Sequence, residues 1–238
     1  NKPVVLPNTI KKAWFDDRFN QNIILPEGIE DIMFGLNFNK PVVLPSNVKY
    51  ANFMHNFNQP LTIPDGAYSI VLMNNFNGTI TFLGSLRELY IHGIFNQPLD
   101  LPRGLRKLTI SGEFNQPLNL PHGLLELTIK GKFDHPLYVP NTVECLCIAG
   151  DFNQLLEIHE GLVTIAIGYK FNQPIILPKS VIKFEVKGVF NQPLELHEGL
   201  LELIIGKKFT YPLTYPKSLR RIIFDVTYNE CVHTPPDG

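Results

Sequence analysis

Apolar residues recur in a fixed 19-residue frame along the whole chain. Phe19, Phe38, Phe57, Phe76, Phe95, Phe114, Phe133, Phe152, Phe171, Phe190 and Phe209 fall on successive multiples of nineteen, with no insertion between them. With Phe as slot one, apolar side chains also fill slots 5, 7, 11, 14 and 16, as in Phe114, Leu118, Leu120, Leu124, Leu127 and Ile129. The pairs 5/7 and 14/16 alternate with polar neighbours, and a period of two predicts strand. No spacing of 3.6 residues recurs, so no helix is expected. A supersecondary unit repeated this strictly implies a stack in which each copy buries its face against the next.

Turn residues fix the same frame. Eighteen of the 20 prolines occupy slot four or slot eight, as Pro98 and Pro102 do around Leu99-Asp100-Leu101. Slot ten is Gly, Ser, Thr or Asn in every copy (Gly104, Ser180, Thr142 and Asn47 among them), the residues that supply a positive φ or a side-chain-to-backbone bond. All 17 Phe fall in slots the pattern turns inward: slot one, Phe82 in slot seven, Phe184 in slot fourteen, and Phe15, Phe34, Phe53 and Phe224 in slot sixteen. Slots 13 to 17, such as Lys107–Ser111, make a longer strand, and slots 5 to 7 a short extended segment between prolines. The expected fold is all-β: a solenoid of 19-residue repeats with parallel strands on both sides and no helices. Both sides are extended and of similar thickness, so low curvature is expected. Twelve copies at ~4.8 Å each would span roughly 55 Å.

Slots one and two recur together, so both are expected to turn inward at a bend. Stacked Phe rings would form an apolar spine. Stacked Asn side chains would bond backbone groups that the bend leaves unpaired. Asp134 and Thr210 depart from Asn but keep an oxygen acceptor.

The unbroken period argues for a single solenoid over 1–227, whose first copy lacks only its Phe, followed by an incomplete repeat and tail over 228–238. Because Asn1-Lys2-Pro3 already reads as slots two to four, the natural start is expected upstream. An uncovered N-terminal coil would need a cap or a second molecule. The polar stretch from Glu230 to Gly238 is expected to close the other end.

The run Phe95-Asn96-Gln97-Pro98-Leu99, repeated as Phe190-Asn191-Gln192-Pro193-Leu194, with Leu124-x-x-Leu127-x-Ile129 after it, resembles the FNIP repeat, a leucine-rich variant. The family is abundant in social amoebae and in large DNA viruses of protists. Its copies are usually nearer 22 residues and often carry Ile where Gln stands here. The resemblance implies a leucine-rich-repeat solenoid and an interaction role. For a viral member it implies the host cytoplasm. Family members often carry an N-terminal F-box, which would make the solenoid the substrate-recruiting arm of a ubiquitin ligase, but no F-box is visible in this sequence.

Charge narrows the function. With 21 basic and 22 acidic residues, the net charge is −1. That balance points away from nucleic acid and from an anionic membrane surface. Prolines in nearly every copy interrupt any run of the roughly 20 apolar residues a spanning helix needs. Cys145, Cys147 and Cys231 are too few and oddly placed for a disulfide framework, which favours a reducing, intracellular setting. Cys145-x-Cys147 lacks further ligands for a metal site. No nucleophile–base pair, phosphate loop or paired carboxylates stand out, so neither an enzyme nor a cofactor is expected. Asn77-Gly78-Thr79 is formally a glycosylation sequon, but Asn77 is also a slot-two Asn and is read as structural.

The outward slots differ along the chain. In the later copies, opposite charges follow one another in slot 13, as Lys183, Glu202 and Arg221 do, which is a sufficient structural role. In the early copies Trp14, Met33, Tyr50, Met54, Met73 and Tyr90 occupy slots 13, 15 or 17 and include the only Trp and all three Met. Aromatic and polarisable side chains on an exposed sheet suit a protein partner, self-association, or cover by a preceding segment. The reading is a non-enzymatic interaction module. A self-assembling rod, joined through the N-terminal end or through this patch, is the structural alternative.

Overall fold

A computed structural model describes residues 2–225, which form two compact units divided between Leu124 and Leu125. Unit 1 carries β1 (Val4–Val5), β2 (Lys12–Trp14), β3 (Ile23–Ile24), β4 (Asp31–Phe34), β5 (Tyr50–Phe53), β6 (Leu61–Ile63), β7 (Ser69–Leu72), β8 (Ile80–Phe82), β9 (Glu88–Gly93) and β10 (Lys107–Gly112). Unit 2 carries β11 (Glu126–Gly131), β12 (Cys145–Gly150), β13 (Thr164–Ile167), β14 (Lys183–Val186), β15 (Glu202–Gly206) and β16 (Arg221–Asp225). Among the described residues there is no helix.

Each unit is a β-solenoid with one coil per 19 residues. In unit 1 the long strands pair in parallel in the order β2-β4-β5-β7-β9-β10, and in unit 2 in the order β11 to β16. Every pair is in register at a shift of nineteen: Ile70 lies opposite Ala51, and Phe184 opposite Ile165. The residue before each strand joins this ladder, as when the N–H groups of Glu30 and Asp31 both donate to the Lys11 carbonyl. Within a copy, the slot-11 N–H closes a turn onto the slot-8 carbonyl, as Leu105 does onto Pro102 at 3.1 Å. Proline suits that acceptor-only position.

The core is the predicted one. Slots 11, 14 and 16 are fully buried through most of the stack, as at Leu105, Leu108 and Ile110. In unit 1 the slot-one rings stack from Phe19 to Phe114 at 5.8–6.0 Å between centroids. In unit 2 they stack from Phe133 to Phe209 at 6.0–6.1 Å. A second column, Phe15, Phe34 and Phe53, leans on the first, with Phe34 3.9 Å from Phe38. Of the inward Phe, Phe82 is only half-buried, as are Phe15, Phe19, Phe209 and Phe224 near the two ends.

The asparagine ladder forms, but not inside. Asn20 Oδ1 accepts the N–H of Asn39, and Asn39, Asn58, Asn77 and Asn96 each accept from the next copy at 2.8–3.0 Å. Unit 2 repeats this from Asp134 through Asn153, Asn172 and Asn191 to Thr210 at 2.7–2.9 Å. These side chains are half-buried or exposed, and among the described residues no polar residue is fully buried. Only the oxygen is used along this backbone ladder, so Asp134 fits without an amide. Slot three is part of the device as well. Gln59, Gln97, Gln116 and Gln173 each donate Nε2 to the same Asn oxygen, at 2.9–3.4 Å.

The other side of the coil is less regular. Strands occur there in two pairs, β1 with β3 and β6 with β8, both in unit 1. Elsewhere slot five is buried and slot seven is buried or half-buried in most copies, but no ladder joins slots 5 to 7 among the described residues. The second strand of each pair follows a slot four that is not proline: Asn22 before β3, Thr79 before β8. Leu83 also replaces the slot-eight proline and donates its N–H to Ile63 at 3.0 Å. A proline there has no such donor. Leu155 and His159 replace both prolines too, and no strand forms between them, so proline loss permits pairing without forcing it.

Candidate functional site

The outward face of unit 1 is built by the long-strand ladder. Register aligns slot 15 as a column of Trp14, Met33, Asn52, Val71 and Tyr90, and slot 13 as Lys12, Asp31, Tyr50, Ser69 and Glu88. Trp14 lies directly opposite Met33, while Tyr50 stands one column away opposite Asp31 and Ser69. Met54 and Met73 follow the strands at the entrance to the next turn, and their N–H groups donate to Phe34 and Phe53 at 3.2 and 3.0 Å.

Exposure separates these six residues. Trp14 is 70% exposed and Tyr50 46%. Met33, Met54, Met73 and Tyr90 are half-buried among their neighbours. The Tyr90 hydroxyl donates to Glu88 at 3.1 Å, and the Lys107 ammonium lies 6.0 Å from the centre of its ring. Tyr90 is therefore tied down within the face. Tyr68, in slot 12, lies one residue before the strand of slots 13 to 17 and so is not among the outward slots read from the pattern. It is exposed, and its ring lies 5.7 Å from that of Tyr50. Trp14 with Met33, and Tyr50 with Tyr68, are the aromatic features a partner would meet. Lys12 beside Asp31 at 3.7 Å and Lys11 beside Glu30 at 3.1 Å rim them with exposed ion pairs.

The later copies carry the paired charges the sequence predicts. Glu202 lies between Lys183 at 3.5 Å and Arg221 at 3.9 Å, all partly solvent-exposed. Such pairs contribute fractions of a kcal/mol. Cys145 and Cys147 lie on β12 outside any disulfide, and burial pushes the Cys147 thiol above its ordinary range. Among the described residues no three His, Cys, Asp or Glu side chains converge as a metal site would require, and no helix is long and apolar enough to cross a membrane. The start of the incomplete repeat, the tail from Glu230 and Cys231 lie outside the described residues.

Asn77 is held by the ladder: its Oδ1 takes the Asn96 N–H at 2.9 Å, and its own N–H donates to Asn58. Slot 12 holds a further device invisible in the pattern. Lys49 and Arg87 reach forward to the carbonyls of Gly66 and Gly104 in the next copy, both at 3.2 Å.

The FNIP repeat model matches residues 95–132, two copies of the frame. YopM from Yersinia enterocolitica WA-314 superposes with a TM-score of 0.65 at 16% identity, over 86% of this chain and 52% of that one. CroV588, described as a novel circular leucine-rich-repeat protein, matches at 24% identity with a TM-score of 0.40, over 95% of this chain and 54% of that one. The chain thus spans about half the length of the solved structures it matches. No curated protein matches the sequence. Strand order, register and the YopM superposition together make the fold a solenoid of the leucine-rich-repeat type, with copies of the FNIP kind at residues 95–132.

Proposed function

We propose that this chain is a non-enzymatic protein–protein interaction module, and that the outward face of unit 1 is its contact surface. The observation that carries the reading is Trp14, the only tryptophan, held 70% exposed on a regular parallel ladder beside Met33, with the Tyr50–Tyr68 pair on the same part of the unit. Large rigid aromatics concentrate binding energy, and a hydrogen-bonded sheet holds them at little entropic cost. Trp14 and Tyr50 act as anchors, and Met33, Met54 and Met73 supply adaptable packing around them. Tyr90, bonded to Glu88, contributes shape. The mechanism is display: the core slots are structural and the outward slots carry recognition. Cys145 and Cys147, not joined in a disulfide, suit a reducing, intracellular compartment.

The test compares two folded variants. One replaces Trp14, Tyr50 and Tyr68 with Ser; the other reverses Lys183 and Glu202. Partners captured from the native cell, or self-association followed by sedimentation velocity, should be lost at least tenfold in the aromatic variant and kept in the charge variant. Loss in the charge variant alone would overturn the assignment.

A further inference from the structure

The proline side of unit 1 carries an exposed apolar column that the 19-residue pattern does not require. Slots 5 to 7 alternate apolar, polar, apolar in most copies. Three successive copies break the rule: Val4-Val5-Leu6, Ile23-Ile24-Leu25 and Val42-Val43-Leu44 are apolar throughout. Continuous apolar runs mark parallel strands that are buried on both faces. Here the middle residue points outward, with Val5 65%, Ile24 55% and Val43 84% exposed. Pairing of β1 with β3 sets Val5 directly opposite Ile24, and Val43 follows one period later. The three form one column.

The column lies in a face without charge. From Pro3 to Leu83, slots 4 to 8 of five successive copies contain no Asp, Glu, Lys or Arg, and the next copy breaks the run with Asp100. Val43, Pro60, Thr62, Pro64 and Leu83 border one hollow of about 270 Å³, so the surface continues from the third copy to the fifth. Leu83 is itself 66% exposed. The charges at the two margins of this face differ in sign. Along slot three they are Lys2 and Lys40; along slot nine they are Glu27 and Asp65. Lys2, Glu27 and Asp65 are exposed and Lys40 is half-buried. The Asp65 carboxylate is held at its margin by the Ser85 N–H, which donates to it at 3.1 Å.

We propose that this face binds the same face of a second molecule of this chain, the two lying side by side with a twofold axis parallel to the stack. Charge selects that arrangement. An axis along the stack sets the slot-three margin of one molecule against the slot-nine margin of the other. Lys40 then enters between Glu27 and Asp65 of the second molecule, and Lys2 reaches its Glu27. An axis across the stack would set lysine margin against lysine margin. Complementary charge fixes orientation, while burial of the slot-six column against itself supplies the attraction, as in an isologous interface. Five coils at ~4.8 Å and six residue steps at ~3.3 Å frame roughly 500 Å² per molecule. A total of about 1,000 Å² stands at the lower end for a specific interface, so the dimer is weak and reversible. The face is on the other side of the coil from Trp14 and Tyr50 and does not rest on the contact surface proposed for them.

Sedimentation velocity of the full chain, from about 10 µM to about 1 mM, should show a monomer–dimer equilibrium. An Ile24→Lys, Val43→Lys double variant should weaken it at least tenfold. Lys40→Glu and Glu27→Lys should each weaken it at least fivefold. An equal mixture of those two single variants should recover the dimer, because each supplies the charge the other has lost. Replacing Trp14, Tyr50 and Tyr68 with Ser should change the dimer constant less than twofold. Orientation is read in a chain whose Cys145, Cys147 and Cys231 are replaced with Ser. There, Val5→Cys and Val43→Cys should each cross-link to the same position of the second molecule under oxidised glutathione. An axis across the stack would instead join position 5 to position 43 in a mixture of the two. If the double lysine variant fails to fold, the charge variants and their mixture decide. A chain that stays monomeric throughout leaves the face to another segment or a different protein and overturns the proposal. A dimer indifferent to these variants, a mixture that does not recover, or cross-links between positions 5 and 43 alone would overturn it as well.

Discussion

The two sides of the coil share one sequence period but obey different physics. On the long-strand side every copy contributes a strand, and each buried apolar slot is backed by ladder bonds to its neighbours. On the proline side slot five is also buried, at Leu99, Leu118, Leu137, Leu156, Ile175 and Leu194, yet strands form in only two pairs among the described residues. Burial holds both sides, while hydrogen bonding holds one. The contact face proposed for Trp14 and Tyr50 lies on the side with the fixed grid.

The largest effect should come from the core the two sides share. Phe57 stacks between Phe38 and Phe76 at 6.0 Å and lies 4.2 Å from Phe53. Phe57→Ala should cost about 3–5 kcal/mol, read from chemical denaturation, because no neighbour can fill the space. A loss below about 1 kcal/mol would mean the ring column is not the principal support.

Proline tolerance separates the sides directly. Val71→Pro puts a ring into β7, a central strand of the unit 1 ladder, and should cost about 1–3 kcal/mol or more through lost ladder bonds. The Thr79→Pro, Leu83→Pro pair on the other side should cost less, since most copies carry those prolines already. Equal losses would erase the distinction, and thermal melts of the two variants measure it.

A smaller effect is expected at the asparagine ladder, which stitches the bend between the sides. Asn172→Ala would leave the Asn191 N–H, now bonded at 2.7 Å, to water or to nothing, at a cost of about 1 kcal/mol. Asn172→Asp should be close to neutral, because Asp134 already plays this part with its oxygen. If the Asp variant proves as damaging as the Ala variant, the amide matters in a way the geometry does not show.

The smallest change should follow removal of an outward charge. Lys183→Ala breaks an exposed pair and should shift stability by no more than about 0.5 kcal/mol.

The sequence was most legible where burial decides. Slots 1, 11, 14 and 16 could be placed inside from spacing alone, because a stack offers the same neighbour to the same slot in every copy. The proline side was harder to read. Its apolar slots are those of a strand, but a ladder also needs donors, and the prolines that mark the frame take donors away. Thr79 and Leu83 replace both prolines where a strand pair forms, but Leu155 and His159 replace them where none does, so proline loss alone does not mark the pairing. Exposure within the outward face was not legible either. Tyr90 and Tyr50 both occupy outward slots, but Tyr90 finds a carboxylate two residues back on its own strand. Slot 18 shows a related limit. At Gly93 and Gly112, φ is near +100° to +110° and a Cβ would run into the preceding copy's carbonyl. In earlier copies Asp17, His55 and Asn74 hold that slot, with Asn74 at +46°. Glycine there lets β9 and β10 run to six residues, a length the apolar pattern alone does not contain.

Residue-resolved amide hydrogen exchange of the full chain tests the contrast between the two sides most directly. Amides in the long strands, Ile165 and Leu146 among them, should exchange slowly in every copy. On the proline side Leu61, bonded to Thr79 at 2.9 Å, should be protected, whereas Ile175, equally apolar and buried but without a ladder, should exchange far faster than Ile165. Uniform protection of slot five from Leu61 to Ile175 would contradict the account.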